Sequence, residues 1–95
     1  VSPACTIRHR LAHWPEGYVT ALYRGRTWGV TLSRHAGGRS LKLFGQELGG
    51  SDIVSLNLYD TGAAADPILR PCEMPVEKVL AFVNEAEPLP APATI

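Results

Sequence analysis

Between Tyr18 and Tyr59 the chain runs through four apolar–polar alternations, and a turn-forming break separates each from the next. The alternating runs cover 18–24, 27–33, 40–46 and 53–59. A period of two sends successive side chains to opposite faces of a sheet. The breaks are Gly25 between two arginines, Ala36-Gly37-Gly38, and Gly49-Gly50-Ser51-Asp52. None is long enough for a parallel crossover, which needs a dozen residues or more. Sequential strands joined this tightly form an antiparallel meander.

The alternation also assigns the faces. If Trp28, Val30 and Leu32 point inward, then Val19, Ala21, Tyr23, Leu41, Leu43, Val54, Leu56 and Leu58 share that side. The opposite face carries Tyr18, Thr20, Leu22, Thr31, Ser33, Ser40, Lys42, Phe44, Gln46, Ser55, Asn57 and Tyr59. It is polar, with three aromatics. One segment has a competing reading: Leu41, Phe44 and Leu48 also fit a helical face. Gly45 would cost such a helix about 1 kcal/mol, so a strand is expected.

Helices are expected at both ends. Ser2 is a capping residue, and Pro3 suits a first helical position, where its missing N–H costs nothing. Ile7, Leu11 and Trp14 then recur on one face, and Pro15-Glu16-Gly17 stops the helix, giving a span of about 4–13. Pro75 opens a second helix over roughly 75–86, with Val76, Val79, Leu80 and Val83 as its apolar stripe. Residues 61–67 read as a loop, and Ile68 to Arg70 as a short fifth strand. Three prolines crowd the stretch from Pro88 onward. The expectation is therefore α+β: an antiparallel meander of four or five strands flanked by an N-terminal and a C-terminal helix. It forms one domain over 1–87, with a flexible Pro-rich tail over 88–95.

Composition removes several function classes. With 95 residues there is room for one core. No apolar run approaches the ~20 residues of a membrane helix. Nine Lys and Arg balance nine Asp and Glu, so a strongly basic nucleic-acid binder is disfavoured. The charges are uneven along the chain: Arg8, Arg10, Arg24, Arg26, Arg34, Arg39 and Lys42 lie in residues 1–45 against Glu16 alone. Intramolecular matching of the two halves is the favoured account. Two cysteines, Cys5 and Cys72, are too few for a disulfide scaffold. Arg8, His9, Arg10 and His13 interrupt what would be the apolar stretch of a signal peptide, so a cytoplasmic protein with reduced thiols is expected.

Several words stand out: Gly37-Gly38-Arg39-Ser40-Leu41-Lys42, Glu47-Leu48-Gly49-Gly50, Ser55-Leu56-Asn57-Leu58-Tyr59, and Leu69-Arg70-Pro71-Cys72-Glu73-Met74-Pro75. Together, from about Trp14 to Val83, they resemble a family of small uncharacterised bacterial proteins. Some of its members carry the label peptide methionine sulfoxide reductase. The resemblance implies a bacterial cytosolic protein. The Gly-Cys-Phe-Trp and paired Cys-x-x-Cys motifs of the two true reductase classes are absent from this sequence.

The residues that bear on chemistry are few. Cys72 precedes the second helix, whose dipole would lower a thiol pKa if the sulfur faced the free N–H groups. Arg70 would help and Glu73 would oppose, and a partner from His9, His13 or His35 would have to come from elsewhere in the fold. A buried packing thiol is the favoured reading. His9 and His13 share a helical spacing, but the further ligands of a zinc site are missing. Neither a metal nor another cofactor is expected. The reading is a small binding protein without catalysis, acting on a protein partner. Its candidate ligand-binding residues are Arg24, Arg26, Arg34, Arg39, Lys42, Phe44 and Tyr59. One alternative is single-stranded nucleic acid, stacked on the aromatic face and held by those five cations in one continuous patch. The other is a thiol redox enzyme using Cys72.

Overall fold

In the computed structural model of the chain the described residues are 2–60 and 66–90. Helix α1 spans Pro3–Leu11, and the Ser2 hydroxyl accepts the Cys5 amide at 3.1 Å. Strands β1 (Gly17–Tyr23), β2 (Arg26–His35), β3 (Ser40–Glu47) and β4 (Ile53–Tyr59) follow. Strand β5 (Ile68–Pro71), helix α2 (Val76–Glu85) and a two-residue strand β6 (Glu87–Pro88) complete the order. The β1–β2 turn is Arg24-Gly25, with φ of 50° and 77°. Two positive values identify the mirror-image turn whose twist matches a hairpin.

The six strands form one antiparallel sheet in the order β5-β4-β3-β2-β1-β6. The α+β class and the two flanking helices are as expected, with one strand more than the four or five read from the sequence. The segment 40–47 is a strand paired on both sides, not a helix. Gly45 explains why that strand is useful: a Cβ there would sit 3.4 Å from the tip of Phe82. The bare backbone lets α2 lie close to the sheet.

Both helices cover the same face. Ile7, Leu11 and Trp14 from α1 and its exit, and Val79, Phe82 and Val83 from α2, are buried with Trp28, Val30, Leu32, Leu43, Val54, Leu56 and Leu58. Tyr23, Trp28 and Phe82 form an aromatic cluster, with ring centroids 4.9 to 5.7 Å apart. Two arginines bond to backbone carbonyls at and just past the helix ends. Arg34 donates to Leu11 and Trp14 at the end of α1, and Arg10 donates to Val83 and Ala86 at the end of α2. The charge imbalance along the sequence closes internally: Arg8–Asp60, Arg24–Glu85 and Arg26–Glu47 join the two halves at 2.9 to 3.1 Å.

The tail reading is corrected at its start. Glu87 and Pro88 pair with Leu22 and Ala21, and the Leu89 amide donates to Thr20 at 2.8 Å. These residues belong to the sheet, while 91–95 and most of the 61–67 loop lie outside the described residues. Among the described residues no helix is long and apolar enough to cross a membrane.

Candidate functional site

With both helices on one side, the other face of the sheet carries no helix among the described residues. The strand register arranges it as cross-strand rows. One row is Tyr18, Thr31, Phe44 and Ser55; the next is Ser33, Lys42, Asn57 and Arg70; the third is His35, Ser40, Tyr59 and Ile68. On the other side of the first row lie Thr20, Gly29, Gln46 and Ile53, and then Leu22 with Thr27. Tyr18, Leu22, Phe44, Ile53, Tyr59 and Ile68 are all exposed on this face, Tyr18 by 66%. Among the described residues the other exposed large apolar side chains, Leu48 and Val76, lie in a turn and at the start of α2. Tyr18 is exposed yet held: its ring lies over Gly29, where a Cβ would meet the phenol oxygen at 2.5 Å. An aromatic laid across a strand glycine restores packing that the missing side chain forgoes.

The face has a charge signature as well. Across β1 to β5 its positions carry Lys42 and Arg70 and no Asp or Glu. Neither cation is in an ion pair among the described residues. A shallow depression of about 400 Å³ opens between Thr31, Ser33, Lys42, Phe44 and Ser55.

The sequence-derived residues divide around this surface. Lys42, Phe44 and Tyr59 share the open face. Arg26 and Arg34 project from the covered side of β2, Arg24 sits in the β1–β2 turn, and Arg39 follows the short Ala36–Gly38 turn. Eight residues of strand separate Arg26 from Arg34, about 27 Å. The five cations therefore form no continuous patch. Three of them are engaged: Arg24 by Glu85, Arg26 by Glu47, and Arg34 by α1 and Glu16. Tyr18, Leu22, Ile53, Ile68 and Arg70 are members the candidate set lacked. Their signal was the alternation itself, which marks every outward position once one is fixed.

A second concavity, a cleft of about 630 Å³, lies at the sheet end beside α2. Tyr23, Trp28, Val54 and Ala81 give it apolar walls, and Arg24, Arg26, Glu47, Asp52, Glu77 and Lys78 contribute the charged ones. Its charges are largely matched, with Lys78 bonded to Asp52 at 2.5 Å and Arg26 to Glu47 at 3.1 Å. Lys78 holds the Asp52 carboxyl below the usual carboxylate range through that hydrogen bond. Arg24 does the same for Glu85.

Cys72 is half-buried rather than a core thiol. Its amide extends the β4–β5 ladder to Ser55, and its sulfur accepts from Asn57 Nδ2 at 3.4 Å. That contact ties the thiol to the sheet. Arg70 points onto the open face, and Glu73 turns the chain away with a φ of 59°. His9 lies on α1 and His13 in the turn just past it, their rings meeting edge to face, and His35 ends β2. Among the described residues no group of three or more His, Cys, Asp or Glu is placed to hold a metal. Compared with known proteins, no family model, no curated protein and no solved structure matches this chain.

Proposed function

We propose that this protein acts by binding rather than by catalysis, and that it docks a protein partner on the open face of its sheet. One observation carries the reading: six large apolar side chains, from Tyr18 to Ile68, are exposed together on the one face no helix covers. They alternate with polar rows rather than forming one unbroken patch, and several exposed apolar side chains gathered on one face mark an interaction site. Aromatic residues are enriched at such sites because they bury large areas with few rotamers to fix. The free thiols Cys5 and Cys72 fit a reducing, cytoplasmic setting.

Single-stranded nucleic acid is the less favoured ligand. Leu22, Ile53 and Ile68 offer no ring for a base to stack on. Two cations on the face give little counterion release, and Arg24, Arg26 and Arg34 are engaged elsewhere. The test is a photo-crosslinking amino acid placed at position 44 and, as a control, at position 9 on α1. Irradiation in cells is expected to give a protein adduct from position 44 alone. Equal yields from both positions, or an adduct to nucleic acid, would overturn the reading.

A further inference from the structure

The rows of the open face specify more than stickiness. Row by row along the strands, the order is aromatic, basic, aromatic: Tyr18 and Phe44, then Lys42 and Arg70, then Tyr59 with Ile68. Neighbouring rows are two residues apart, about 7 Å. The basic row has no acid beside it on this face, and its cations are outside any ion pair among the described residues. Around Lys42 the depression is lined by the hydroxyl-bearing Thr31, Ser33 and Ser55, all able to donate, and by the Phe44 ring.

We infer that the partner presents a carboxylate flanked by two apolar side chains at a spacing of about 7 Å. This rests on the reading that the open face docks protein. The carboxylate meets Lys42 and the hydroxyls around it, with Arg70 one strand beyond Asn57 in the same row. The flanking apolar groups cover Phe44 and Tyr18 on one side and Tyr59 on the other. An extended segment repeats its same-face side chains at this interval, so apolar-x-acid-x-apolar is the fitting pattern. A second copy of this chain is the wrong occupant. Stacked with the basic rows opposed, it would set Lys42 and Arg70 against their own kind, and Glu87, opposite Leu22 on the β6 edge, lies 4.0 Å from Arg10 and away from that row. Charge complementarity thus separates an acidic partner from self-association.

The experiment uses the whole protein, labelled with nitrogen-15, and follows amide shifts on adding three probes. One is a peptide alternating Tyr, Thr, Glu, Thr and Leu; the second has Lys in place of Glu; the third is a ten-nucleotide oligothymidine. The Glu peptide is expected to shift residues of the three rows. Lys42→Glu should weaken it at least tenfold, and the double variant Lys42→Glu with Arg70→Glu should bind the Lys peptide instead. Both positions are exposed, so the variants should unfold within about 0.5 kcal/mol of the parent. If both peptides shift the open face equally and Lys42→Glu changes neither, the carboxylate is refuted while protein docking stands. If neither peptide shifts the face, or the oligothymidine displaces them, docking of protein is refuted too. Concentration-dependent dimers abolished by Phe44→Ala would name the second copy and overturn the inference.

Discussion

Cys72 and Asp52 show how little a residue's identity says before its neighbours are known. The Pro-Cys-Glu-Met-Pro word suggests either a reactive thiol or a packing anchor, and the fold sets Cys72 half-buried, outside the core cluster. It caps the end of a strand ladder with one polar contact, from Asn57. Cys72→Ala should therefore cost only about 1 kcal/mol, the scale of one hydrogen bond, in a urea titration. A loss above about 3 kcal/mol would instead mean a core role. Asp52 pairs with Lys78 across 26 residues, a partnership no local pattern signals. Its carboxyl is depressed in the folded state by the Lys78 hydrogen bond. A depressed carboxyl stabilises above its unfolded value, about 4, and that contribution disappears as pH falls through the lower folded value. Lys78→Met should be less stable than the parent at pH 7, with the gap closing toward pH 2 to 3. Urea midpoints at the two pH values check this, and a gap that persists in acid would assign the loss to packing. The arginines teach the same lesson. Which of them are consumed by Glu85, Glu47 or a helix end depends on contacts far apart in sequence, so Arg24, Arg26 and Arg34 looked free until the fold was known.

The elements were the most legible level, because each has its own period. Ile7, Leu11 and Trp14 recur at helical spacing, and all three are buried. Alternation across β1 to β4 separated the covered residues from the open ones without error, since a slip of one residue would have inverted every assignment. The element that escaped was β6. Two residues carry no period, and Pro88 reads as a tail; only the β1 edge, through Thr20, makes it a strand. Helix α2 depends most on one side chain. Phe82 is fully buried over Gly45 and against Trp28 and Tyr23. Phe82→Ala should cost about 3–5 kcal/mol, a large share of the 5–15 kcal/mol a domain has. Its circular-dichroism melt should fall steeply. Gly45→Val should also destabilise, by about 1–3 kcal/mol of overpacking against the same ring.

At the scale of the molecule, one side of the sheet builds the core and the other carries no helix among the described residues. The same arrangement bears on aggregation. An exposed apolar sheet face invites further strands to add at its margins, where free N–H and C=O groups act as a template. Here both margins end in proline: Pro71 closes β5, and Pro88 lies in β6. A residue without an N–H cannot extend a ladder from its own position. Cutting the chain after Ala86 would strip β6 away and bare β1, whose seven residues from Gly17 to Tyr23 include no proline. Light scattering on the shortened protein should show growing oligomers where the full chain gives none, and a dispersed sample would refute a guarding role for β6. The short proline-bearing margins let the protein keep exposed apolar side chains on one face of its sheet while denying other chains a seam along which to polymerise.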